Sequence, residues 1–180
     1  MMQELISLLK LSQPQVAIFS SSFPRIDFPP LPHLTPEVTE FAFVYHNNNF
    51  EWRKMQICGN SIISFCISKI MKSLSSRSDH YQELLKIIML SDKVLASYAI
   101  YLEIHIDNRM CDHLINSDHA NSFKVWVYGY QKSFGTLICE QFVESLIQPL
   151  MNSLYSLDLK NNEEIVDFLN NYFKVFWVSS

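Results

Sequence analysis

Residues 53–71 read RKMQICGNSIISFCISKIM. Within the wider stretch from Trp52 to Leu74, Ile57, Ile63, Ile67, Ile70 and Leu74 recur at helical spacing, and apolar residues cover most of the circumference. The pattern predicts a central buried helix. Gly59 interrupts it with the one residue type that lets another backbone come close, at a cost to the helix of about 1 kcal/mol relative to alanine.

Working outward, Tyr81 to Leu90 and Lys93 to Ile104 repeat the periodicity as two shorter helices, with Ser91 and Asp92 between them as capping side chains. They read as a helical hairpin. Residues 105–120 are polar and rich in His and Asp. Phe123 to Leu157 returns to helical periodicity, with Pro149 expected to bend or end it. Asn162, Glu163 and Glu164 open a last helix reaching about Val175, their acids suited to a helix N-terminus.

On the N-terminal side, Leu5, Leu8 and Leu9 mark a short amphipathic helix over residues 2–11 that Pro14 ends. Residues 20–36, SSSFPRIDFPPLPHLTP, form an extended strap in which proline repeatedly fixes φ and removes donors. Thr35 then caps a helix running from Pro36 to about Tyr45, and Asn47, Asn48 and Asn49 break it.

A chain of 180 residues is one domain's worth of core, and 48% hydrophobic against 18% charged residues excludes a disordered protein. Three glycines, with most of the seven prolines before position 37, argue against hairpin-rich β folds. The expected class is all-α. Lys+Arg at 14 against Asp+Glu at 18 gives a net charge of −4, so no global positive field collects nucleic acid. Cys58, Cys66, Cys111 and Cys139 form no Cys-x-x-Cys pair, and neither a secretory signal nor a long apolar run is present. Reduced thiols in an intracellular protein are expected, with the nucleus or cytoplasm favoured. A mitochondrial address is left open, although MMQELISLLKLSQPQVAIFS lacks the arginines of a presequence.

Four segments in order resemble the ribonuclease III catalytic domain, particularly its fungal nuclear members. FPPLPHLTPEVTEFAFVYHNN is similar to that family's proline-rich strap and the helix that follows, with Val44, Tyr45, His46 and Asn48 in the matching places. RKMQICGNSIISFCISKIM resembles the signature ERLEFLGDSVLxLxVSxxL through Gly59, Ser61 and Ser68. SDKVLASYAIYL resembles VSNxxLAxxAxxLGL, and FKVWVYGYQKSFGTLI resembles KxLADxFEAxIGAI through Lys124, Val125, Tyr130 and Gly135. The resemblance implies a ribonuclease III-like helical domain over residues 28–155 with an N-terminal proline-rich strap. An extension over residues 1–27 precedes it, and a helix over residues 156–180 packs on it.

The family's hydrolysis needs carboxylates, because hard Mg²⁺ ions take oxygen ligands, activate water and neutralise charge developing on phosphate. Carried across residue by residue, the acidic positions are Arg53, Gln56, Asn60, Tyr128 and Gln131. None is acidic. A guanidinium at Arg53 repels a divalent cation by several kcal/mol at about 4 Å in an effective dielectric near 20. The resemblance therefore implies a pseudoenzyme, without metal or other cofactor. It serves as a dimerisation or assembly module in an RNA-processing or RNA-containing complex and pairs with another ribonuclease III-like subunit or with itself.

In the family the signature helix forms the dimer interface, which makes Trp52, Ile57 and Cys58 the partner-facing candidates; ordinary core residues are the competing reading. Lys54, Lys69, Lys72 and Arg77 are the candidates for meeting structured or double-stranded RNA, against the commoner reading of a solvated helix face. About thirty residues follow Pro149, too few for a double-stranded RNA-binding module. Two further functions stand beside the main one. The first is a mitochondrial large-subunit ribosomal protein of the same fold. The second is a residual Mg²⁺-dependent nuclease using acids elsewhere, such as Glu51 or Asp79. His105, Asp107, Cys111, Asp112, His113, Asp118 and His119 hold ligand types for zinc, but their spacing fits no zinc motif and loop polarity explains them.

Overall fold

The computed structural model describes residues 33–36, 50–74, 78–102, 104, 115–157 and 162–173. These residues form an all-α fold of six helices: α1 Phe50–Ser73, α2 Asp79–Met89, α3 Asp92–Tyr101, α4 Ile115–Phe134, α5 Thr136–Tyr155 and α6 Asn162–Phe173. The helix expected over residues 2–11, most of the strap, all but the first residue of the helix from Pro36 to Tyr45, Arg77 and residues 105–114 lie outside the described residues.

Helix α1 is the axis of the fold. Ile63, Cys66, Ile67 and Ile70 are buried along one side of it, and α4 lies against that side. Helix α4 in turn packs over α3, burying Ala120, Phe123, Trp126 and Val127. The core closes with Leu85 and Ile88 from α2, Val143, Leu146 and Leu150 from α5, and Ile165, Leu169 and Phe173 from α6. Tyr98 of α3 sits in its middle, stacked on Phe123 at 5.6 Å and edge-on to Phe173 at 4.9 Å. Its hydroxyl donates to the Leu146 carbonyl at 3.3 Å, which satisfies the one polar atom that so apolar a site would otherwise orphan.

The expected hairpin of short helices is α2 and α3. Ser78 caps α2 by accepting from the Tyr81 N–H, and Ser91 caps α3 by accepting from the Val94 N–H. Tyr81 and Tyr155 brace one end of the bundle: the Tyr81 hydroxyl donates to Leu154 O at 2.8 Å and the Tyr155 hydroxyl to Leu74 O at 2.6 Å. Each hydroxyl thereby satisfies a carbonyl near a helix C-terminus.

Three expectations need correction. The stretch 123–157 is two helices, and the break falls at Gly135, whose φ of 86° and ψ of 166° belong to a region open to glycine alone. Pro149 ends nothing: it sits inside α5 on the exposed side, where it has no N–H to offer the carbonyl one turn back. Helix α4 also starts well before Phe123, so Asp118 and His119 are helical and not part of a polar loop; Asp118 lies in the first turn, where a carboxylate suits the helix dipole. None of the described helices is long and apolar enough to cross a membrane.

Candidate functional site

The α1–α4 crossing carries the positions singled out above, and a single residue explains why the helices come so close there. A Cβ built on Gly59 falls 2.6 Å from the Lys124 carbonyl carbon and overlaps its oxygen. The glycine is thus a seat for the backbone of α4. Trp52 and Val125 close the crossing as a small separate apolar cluster, with Leu34 and Met55 packed against it. The end of the strap reaches the same two helices, where the Thr35 N–H donates to Ser133 Oγ at 3.3 Å.

Around this seat, Arg53, Gln56 and Asn60 follow one another at i, i+3 and i+7 on α1, and Tyr128 and Gln131 at i and i+3 on α4, so each set shares a helix face. Gln56, Asn60, Tyr128 and Gln131 are half-buried and Arg53 is exposed. Their chemistry is that of neutral and cationic groups. Gln131 Nε2 donates to Thr136 Oγ1 at 3.3 Å, and Lys132 Nζ stands 5.2 Å from the centre of the Tyr128 ring. Lys124 reaches Asp92 Oδ1 at 3.0 Å, tying α4 to the first turn of α3. Among the described residues no three of His, Cys, Asp and Glu gather as a metal would need. Arg53 and Lys132 give these rows a positive sign, opposite to that of a Mg²⁺ site.

The partner-facing candidates separate. Trp52 is buried at 7% exposure against Val125, so it belongs to the crossing within the chain and is not a partner-facing residue. Ile57 points the other way and is 68% exposed, while Cys58 beside it is half-buried and a free thiol. Phe65, 55% exposed, lies on the same side as Ile57 and was missed because sequence periodicity treats every apolar residue of a helix as core. Phe134, Leu137 and Ile138 form a second exposed apolar group at the α4–α5 corner.

The basic candidates are largely spoken for. Lys69 is held between the α5 acids, 2.6 Å from Glu144 Oε1 and 3.9 Å from Glu140 Oε2, and that hydrogen bond to Glu144 raises its pKa. It is an interhelical ion-pair residue whose side chain remains half-exposed. Lys54 stands 3.6 Å from Glu51 in the same helix, and Lys72 is exposed at the far end of α1. Of the two acids considered for a residual nuclease, Glu51 lies in the first turn of α1 and Asp79 begins α2 beyond the other end of that helix, which is about 36 Å long. They do not share an end of the bundle.

Cys66 and Cys139 are buried thiols whose pKa values burial pushes up to about 12, with Glu144 and Glu140 adding to the rise at Cys66 and Glu140 at Cys139. As thiols they pack, and neither is a nucleophile at neutral pH. Searches with family models, curated proteins and solved structures return no match to this chain.

Proposed function

We propose that this chain is a catalytically inactive ribonuclease III-like protein that serves as a dimerisation or assembly module in an RNA-processing or RNA-containing complex. The observation that carries this reading is the contrast at the α1–α4 crossing. Gly59 still seats the Lys124 backbone, while Arg53, Gln56, Asn60, Tyr128 and Gln131 offer no carboxylate. A scaffold held to tight backbone tolerance beside a face with no cation ligands suits a protein that positions other molecules and does not hydrolyse phosphodiesters. Exposed Ile57 and Phe65 on α1 supply apolar surface of the kind an assembly contact uses.

The test is affinity purification of the tagged protein from its native cells, with mass spectrometry of what co-purifies, beside a Mg²⁺-dependent cleavage assay on double-stranded RNA. The expected result is recovery of a ribonuclease III-like partner or of RNA-processing proteins, with no cleavage above buffer. Mitochondrial large-subunit proteins in the eluate would move the assignment to a ribosomal component. Cleavage lost on Glu51→Ala would overturn the pseudoenzyme reading.

A further inference from the structure

An apolar corner stands exposed where α4 turns into α5. Every residue from Phe134 to Ile138 is exposed, and Phe134, Leu137 and Ile138 among them are large and apolar. Ser133, immediately before them, is where the strap is fastened: the Thr35 N–H donates to Ser133 Oγ at 3.3 Å, and the two hydroxyl oxygens lie 3.5 Å apart. Leu34, beside Thr35, packs on both the Trp52–Val125 cluster and the main core. The residues leading into this anchor carry their conformation in their sequence. Residues 28–34 read FPPLPHL, in which each of positions 28–32 is a proline or precedes one, so all five are restricted to extended, polyproline-type torsions. At three residues per turn, Phe28, Leu31 and Leu34 fall on one edge, each about 9 Å from the next. The docked Leu34 decides which edge faces the helices.

From this we infer that Phe28 and Leu31 dock on the α4–α5 corner of their own chain and cover Phe134, Leu137 and Ile138. The spans match. Even fully extended, the chain from Ser133 to Ile138 covers no more than about 18 Å, and a polyproline-type segment sets Phe28 about 19 Å from Leu34. Entropy favours this occupant over any other. A segment whose torsions are fixed before it docks loses little freedom in docking, and a tether of a few residues holds it at the corner at a millimolar effective concentration that a separate molecule does not reach. Pro29, Pro30 and Pro32 carry no N–H, so laying them on an apolar surface buries no donor at those positions. The inference stands without the assembly reading and survives its failure.

Photo-crosslinking from the corner is the experiment. The full-length chain carries p-benzoylphenylalanine in place of Leu137, an exposed residue outside the core. An equal mixture of isotope-labelled and unlabelled protein is irradiated and its adducts are located by mass spectrometry. The expected adduct joins position 137 to residues 28–32 within one chain. Leu31→Asp and Phe28→Asp should each lower its yield about fivefold or more with the helical circular dichroism unchanged, because both positions lie outside the described helices. An adduct joining a labelled to an unlabelled chain would overturn the proposal and make the corner a contact between copies. An adduct elsewhere in the chain, or none, would overturn it outright. A yield that both strap substitutions leave unchanged would overturn the assignment of Phe28 and Leu31 as the covering residues.

Discussion

Gly59 and Gly135 are both irreplaceable, for opposite reasons. At Gly59 the obstacle is another backbone: a methyl group there meets the Lys124 carbonyl, which no rotamer change relieves. At Gly135 the space is open, and the obstacle is its own torsion at φ 86°. Gly59→Ala is expected to destabilise the fold by about 3 kcal/mol or more through displacement of α4. Gly135→Ala should cost about 1–3 kcal/mol through local strain. Urea denaturation ranks the two, and a Gly59→Ala protein as stable as the wild type would show that α1 and α4 can separate at no cost. Gly59 was legible from the sequence as a site of close approach, because a glycine inside so apolar a helix asks for a reason. Which backbone approaches it was not legible, since that depends on the crossing of helices that are far apart in the chain.

At the scale of the element, the rows on α1 and α4 can be asked whether carboxylates at their positions would hold a cation. Arg53→Glu, Asn60→Asp, Tyr128→Asp and Gln131→Glu introduced together should yield a protein that takes up Mg²⁺, read by calorimetry on the folded variant. Absence of uptake would mean that the backbone around Gly59 does not bring the two rows to the spacing a cation needs. Helix existence in this chain was written plainly in periodicity and caps, as Ser78 and Ser91 show. The division of α4 from α5 was misplaced because proline is the louder signal. A proline inside a helix loses one hydrogen bond and crowds the carbonyl one turn back, a cost that the packing of Val143, Leu146 and Leu150 offsets in α5, whereas a glycine taking a torsion forbidden to other residues ends a helix without any side chain to announce it. Exposure was the least legible property: Trp52 and Ile57 are both apolar residues of α1, and only the position of α4 decides that one is covered and the other is not.

At the scale of the whole molecule, Lys93 is a cation of the described residues whose burial works against folding. Lys93 is 6% exposed, and burial lowers its pKa from 10.5 to about 8, partly offset by the charge of Asp167 on α6. Between pH 8 and 10.5 the unfolded chain binds a proton at this residue that the folded chain does not, so its contribution to stability rises with pH across that window; below pH 8 the penalty is present in full. Lys93→Met is therefore expected to stabilise the protein at pH 7 by about 1–3 kcal/mol, with the advantage shrinking as pH approaches 10.5. Thermal unfolding of both proteins measures the difference directly and cancels the other titrating groups, such as Cys66 and Cys139. An advantage that does not change with pH would assign the gain to packing.

The seat at Gly59 bears on how freely this face of α1 can vary. Its requirement is steric and is met or failed by the passage of α4 alone, whatever stands at positions 53, 56 and 60. The glycine and the side chains around it answer to separate demands, and either can change without the other. A substitution that changes the chemistry of this face therefore need not change how closely α1 and α4 fit.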